Sequence, residues 1–370
     1  MTQAISIQDA KRSMLLSFTA QVPLKLMGAP GIGKSELAEW YAAMMHKKYA
    51  DDHGYGYFEL NAATANLSDV IGFLLPGDEI VTDFEGNEHV IKSGHYTYPF
   101  FMRCKFTGRP ASTFKRGMFV VEEYGQAQSD VKRALAGIIR QRRNGEHKFP
   151  EHTDVLLLSN RPTDRSGVSK DFDFVINRLN QMEVVADFNG WVVWANDNDI
   201  TPMSIAFAER NQGDVFSNKI PEKQGPWLTP RSLASADNLI KAAEVMGIHL
   251  DDDLLRANLG GTIGEGSAHK YIAFAKLKDQ LPSLAQILAD PDKCRVPTEA
   301  DQQMFLVFDL AHRATVENCK AVIRYINRLP SDFGVAFYRA AAQKTPKLIS
   351  TREFGDWAVA NQQVIAAVNS

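Results

Sequence analysis

The chain has little cysteine and no long apolar run, and each scarcity excludes something. Its three cysteines, Cys104, Cys294 and Cys319, are scattered. They lack the paired spacing of a zinc site or a disulfide framework, so ordinary reduced thiols are expected. His89, His95, His147 and His152 show no metal-ligand spacing either. No apolar run approaches the roughly 18 residues of a membrane-spanning helix, and MTQAISIQDAKRSM lacks the unbroken apolar centre of a secretory signal. The expectation is a soluble, cytoplasmic protein with no membrane partner. An excess of charge is missing as well: a formal net charge of -3 over 370 residues exerts no global pull toward nucleic acid. There is no internal repeat or low-complexity segment. What remains is an ordinary globular composition, 45% hydrophobic and 23% charged, long enough for two or three domains.

From Val22 to about Phe188, short apolar runs alternate with helix-like stretches, a rhythm that predicts a parallel sheet covered by helices on both faces. Five strands are expected, in VPLKLM, YGYFELNA, MFVVEEY, DVLLLSN and MEVVAD. Between Gly77 and Tyr98, two β-rich pieces flank Glu85-Gly86-Asn87 and read as a protruding hairpin outside the sheet. After Phe188 the spacing is helical, as in WVVWANDNDI, SLASADNLIKAAEVM and HKYIAFAKLKDQL, and LADPDKCRVP suggests a joint near 289–297. The expected division is therefore an α/β domain over 1–188, a helical domain over 189–288 and a helical extension over 289–370. Trp191 and Trp194 are expected on a packing face of the first of these helices.

GAPGIGKS, Gly28 to Ser35, satisfies the G-x-x-x-x-G-K-[ST] pattern with an apolar strand before it and a helix after it. Such a loop surrounds phosphates with N–H groups and aims the positive end of the helix at them. Gly28, Ala29, Pro30, Gly31, Ile32, Gly33, Lys34 and Ser35, with Glu36 next in the helix, form the candidate ATP-binding set. Lys34 is expected to reach the β and γ phosphates and Ser35 to hold Mg2+. MFVVEEYGQA has the shape of a Walker B segment, with Glu122 as the metal-side carboxylate and Glu123 as the general base that polarises water. Glu122 stands where Asp is usual and lengthens the reach by one methylene.

This order of motifs resembles the AAA+ superfamily and, within it, the MoxR-like ATPases. The stretch EEYGQAQSDVKRALAGIIRQRRNGEHKFPEHTDVLLLSNRP carries most of the likeness. The resemblance implies a P-loop AAA+ core with a five-stranded parallel sheet between helices, followed by an α-helical lid and further C-terminal helices. It implies that Asn160 is the sensor-1 residue, Arg178 an arginine finger offered to a neighbouring subunit, and Arg231 a sensor-2 arginine on a lid helix. Arg161 and Arg165 match positions that face the adjacent subunit's nucleotide. The 77–98 hairpin and a second one at about 145–153 match the helix-2 and pre-sensor-1 insertions. Asn144-Gly145 is expected to end the helix before the second hairpin, and Arg140, Arg142, Arg143 and Lys148 to line a pore.

The function implied is that of a bacterial or phage-encoded, homo-hexameric ring that hydrolyses ATP to remodel a protein partner, one with a von Willebrand A domain among the candidates. Two alternatives share the same ATP site: a nucleic-acid-translocating motor, and a nucleotide-gated ring with little turnover. The helices beyond Pro297 carry no catalytic motif.

Overall fold

The computed structural model describes residues 4–50, 54–164, 167–249 and 251–362. It divides into two units, one made of the residues up to Val185 with Asn218–Ile220, the other of Ala186–Ser217 and the residues from Pro221 onward.

The first unit runs β1 (Ala4–Ile5), α1 (Ile7–Thr19), β2 (Leu24–Met27), α2 (Lys34–Lys48), β3 (Tyr55–Asn61), α3 (Leu67–Ile71), β4 (Leu74–Thr82), β5 (Glu88–Tyr96), β6 (Arg116–Glu122), α4 (Ser129–Gln141), β7 (Arg143–Asn144), β8 (His147–Lys148), β9 (His152–Ser159), α5 (Asp173–Ile176) and β10 (Asn180–Val184). One sheet has the order β1-β10-β2-β9-β6-β3, with every pairing parallel. Its central strands are continuous apolar runs because both faces are covered: Met118 to Val121 in β6 and Val155 to Leu158 in β9 are all essentially inaccessible. In α4, Val131, Leu135, Ile138 and Ile139 are buried at helical spacing and pack the helix on one sheet face, alongside Phe119, Val121 and Phe149.

The fold expected from the sequence, a P-loop α/β core followed by helices, is the one observed, with six strands in place of five. The sixth, β1, pairs only Ala4 with Glu183 and Ile5 with Val184, and two residues are too short to carry a periodic signal. The first hairpin is β4–β5, paired from Leu74 with Tyr96 to Thr82 with Glu88. It starts three residues before the expected Gly77. A second correction concerns the end of α4: Arg142, at φ 53°, takes the left-handed capping position in place of Asn144-Gly145, and Gly145 serves the β7–β8 turn.

The second unit is helical: α6 (Phe188–Asp197), α7 (Pro202–Arg210), α8 (Gln212–Val215), α9 (Pro230–Met246), α10 (Asp253–Ile263), α11 (Glu265–Ala275), α12 (Leu284–Ala289), α13 (Ala300–Arg313), α14 (Cys319–Ile326), α15 (Ser331–Lys344) and α16 (Arg352–Ala360). Trp191 is buried in this unit's own core, with Trp194 packed against it. One apolar core runs through the segment where the sequence suggests a joint, joining Phe207 and Phe274 to Phe305, Phe337 and Phe354. Among the described residues no helix is long and apolar enough to cross a membrane.

Candidate functional site

Sheet order assembles the site. β2, β9 and β6 are neighbours and parallel, so the residues that follow them emerge side by side at one edge of the sheet. These are the Gly28–Ser35 loop, Asn160 and Glu123. Gly28 donates its N–H to the Ser159 carbonyl at 3.2 Å, which stitches the loop to the end of β9. A Cβ on Gly28 would lie 2.6 Å from the Val184 carbonyl oxygen of β10, so the loop can sit this low over the sheet only with glycine there. Gly33 caps α2 at φ 93°, a left-handed conformation that turns the chain abruptly from loop to helix.

Lys34 is buried, with its ammonium donating to the Gly28 carbonyl at 2.8 Å, the Ala29 carbonyl at 3.0 Å and Asn160 Oδ1 at 3.1 Å. Asn160 Nδ2 in turn donates to Glu123 Oε2 at 3.2 Å. One amide, itself only 6% exposed, thus bridges the loop lysine and the candidate base. Glu123 is held at φ 52°, a conformation rare for a residue with a side chain. Glu122 ends β6, and burial raises its carboxyl above the ordinary range, opposed by the Ser35 hydroxyl and the Lys34 charge and reinforced by the nearby Glu59 and Glu123 charges.

The loop fits a phosphate chain: a glycine cradle seated on the sheet, a helix N-terminus and an ammonium group that reaches two loop carbonyls and the Asn160 amide. Ser35 and Glu122 together fit a magnesium ion that keeps most of its water. Pro30, Gly31 and Ile32 complete the turn, and Glu36 stands in the first turn of α2 with Oε2 buried and without a hydrogen-bond partner.

The arginines divide. Arg178 is exposed after α5, with its guanidinium donating to the Phe174 carbonyl, and it lines a shallow groove with Arg133, Arg140 and Phe174. Arg231 belongs to the second unit, exposed on the first turn of α9, which Pro230 opens and Thr229 caps. Arg161 is engaged within its own chain, its Nε and Nη2 donating to Asp164 Oδ1 at 3.0 and 2.7 Å, and it is paired with Glu183 at 3.2 Å. Arg165 lies outside the described residues. Of the four basic residues expected to line a pore, Arg142 is half-buried and turned inward, its Nε donating to the Thr153 carbonyl at 3.0 Å, whereas Arg140, Arg143 and Lys148 are exposed. Three of the four histidines serve the hairpins: His89 meets Asp83, His95 meets Glu146 and His147 meets the Tyr96 carbonyl, whereas His152 opens β9.

Sequence reasoning missed a buried ionic cluster beneath the Glu123 turn. Lys25 of β2 and Lys132 of α4 share Asp171. The signal was available: Lys25 interrupts the apolar run of VPLKLM, and Lys132 falls in register with Leu135 and Ile139 on the apolar stripe of α4.

No protein-family model matches the chain, and no curated protein matches it. Solved structures similar to it include NtrX from Brucella abortus in complex with ATP, 13% identical with a TM-score of 0.37 over 100% of this chain and 70% of that one. A point mutant of RuvB from Thermotoga maritima is 11% identical with a TM-score of 0.39 over 77% of this chain and 75% of that one. NtrX with ADP is 11% identical with a TM-score of 0.37 over 98% and 68%.

Proposed function

We propose that this chain is a magnesium-dependent ATPase of the AAA+ superfamily, of the MoxR-like group, which works as a ring of identical subunits to remodel a protein partner. The observation that carries the reading is the Lys34–Asn160–Glu123 relay at the shared edge of three neighbouring strands. It supports the reading because an ammonium, an amide and a carboxylate lie on one hydrogen-bonded line, in the order that phosphate binding, water orientation and proton acceptance would need.

In this reading the loop amides and the α2 N-terminus bind the triphosphate, and Lys34 exchanges its loop carbonyls for phosphate oxygens. Asn160 holds Glu123 toward the attacking water, and Glu123 accepts its proton. Mg2+, held by Ser35 and Glu122, would neutralise phosphate charge. Arg178, exposed and outside this relay, is offered to the neighbouring subunit's γ-phosphate, where a guanidinium stabilises developing charge by roughly a thousandfold or more in related nucleotidases. Arg231 would report occupancy to the helical unit. Substrate contact is assigned to the β4–β5 hairpin, which pairs only with itself among the described residues and presents Phe84, Ile80 and Val90 to solvent.

The deciding experiment compares the wild type with Glu123→Gln. The variant should bind ATP, release no phosphate above background and accumulate as an assembled ring that retains its partner in a pull-down. Equal phosphate release above background would remove Glu123 from its role, and release at background in both proteins would leave a nucleotide-gated ring.

A further inference from the structure

The cluster beneath the catalytic turn is built from charges that proteins rarely bury. Lys25 is 4% and Lys132 1% exposed, and both ammonium groups bond to Asp171. Lys132 also donates to the Ser169 carbonyl at 3.0 Å. Both ammonium groups approach the ring of Tyr124, at 5.6 and 5.2 Å from its centroid. Tyr124 is fully buried and directly follows Glu123. Two cations facing one carboxylate leave a net positive charge in the interior, a costly arrangement when apolar side chains could fill the same space.

What the cluster joins gives that cost a purpose. On one side is the turn that carries Glu123: Tyr124 lies under the two ammonium groups, and the Gly125 carbonyl accepts from the Ser169 N–H at 2.9 Å. On the other side the chain runs from Asp171 straight into Phe172, which lies under the Arg133 guanidinium and stacks on Phe174. The Phe174 carbonyl accepts from Arg178. A continuous line of contacts thus leads from the candidate base to the arginine at the groove.

We propose that the Lys25–Asp171–Lys132 cluster is a positioning device that couples the Glu123 turn of one subunit to the Arg178 that the same subunit offers to the next. This rests on the ATPase reading above. A change at Glu123 on hydrolysis shifts Tyr124 and Gly125, and the segment 169–174 follows because Asp171 is bonded to the strand below and to α4 at once. The neighbouring site thereby senses the state of the first.

The test separates this role from simple stabilisation. Replacing all three charges, in Lys25→Met, Asp171→Leu and Lys132→Met together, leaves no buried ion unpaired, so folding should survive with Tm within about 5 °C. Should this variant fail to fold, Lys25→Met alone, which retains the neutral Lys132–Asp171 pair, takes its place. The proposal predicts ATP affinity within about twofold of wild type, kcat reduced by tenfold or more, and a Hill coefficient for ATP falling toward 1. In an Arg178→Ala background the same replacements should lower kcat no further, because the element they position is already gone. Unchanged kcat and cooperativity, or an effect that multiplies fully with that of Arg178→Ala, overturns it. Loss of nucleotide binding by the Lys34→Ala protein would instead leave both proposals standing, and its retention would overturn the ATPase reading itself.

Discussion

Asn160→Ala removes the centre of the relay, and the structure fixes what should follow. The substitution deletes the amide oxygen that accepts from Lys34 at 3.1 Å and the amide nitrogen that donates to Glu123 at 3.2 Å. Nucleotide binding should change little, because Lys34 keeps two carbonyl partners and neither the loop amides nor the α2 N-terminus is touched. Turnover should suffer, because Glu123 loses the donor that aims it. A hydrogen bond to a charged group contributes about 1.5–3 kcal/mol, which corresponds to a roughly 10- to 150-fold fall in kcat. Asn160→Asp is the sharper control, since its shape is the same but it sets a second carboxylate where a donor faced Glu123, and it should fall at least as far. The assay is steady-state phosphate release with ATP affinity measured in parallel. A kcat within twofold of wild type in both variants, or a loss of affinity with kcat preserved, would refute the relay.

Glu122 should make magnesium binding unusually sensitive to mild acid. Burial raises its carboxyl, and metal binding needs the ionised form, so the Mg2+ concentration for half-maximal activity should climb as pH falls from 7 toward 5; Glu122→Gln should weaken Mg2+ binding and flatten that dependence. In the second unit, Glu209 of α7 is pushed by burial from 4.5 up to about 7. A proton held more tightly by the folded state stabilises it fully below pH 4.5 and is lost as pH rises through 7, a fall of about 3 kcal/mol. Urea titration should therefore find stability decreasing over that window, and Glu209→Gln should abolish the slope.

Residues that are local in sequence and central in the sheet were legible from the chain alone. The GAPGIGKS loop, Glu122-Glu123 and Asn160 each follow an apolar run, and three such runs that become parallel neighbours bring their ends together. What escaped depends on contacts between distant residues. β1 has two residues and exists only because β10 offers an edge. Arg142 looked like one of a surface set, yet its left-handed backbone and its bond to Thr153 turn it inward. Arg161 has Asp164 three residues on, a local pair open to sequence reasoning, and the fold adds Glu183 from β10. Asp171 has no distinguishing sequence context, although the two lysines it joins each break an apolar pattern.

The central claim is that Lys34 and the loop around it hold a triphosphate. Titrating wild type and Lys34→Ala with a fluorescent ATP analogue in the presence of Mg2+ tests it most directly. The account predicts affinity at least about thirtyfold weaker in the variant, from the loss of a charge-assisted contact of about 2 kcal/mol or more. Equal affinity in the two proteins would contradict it.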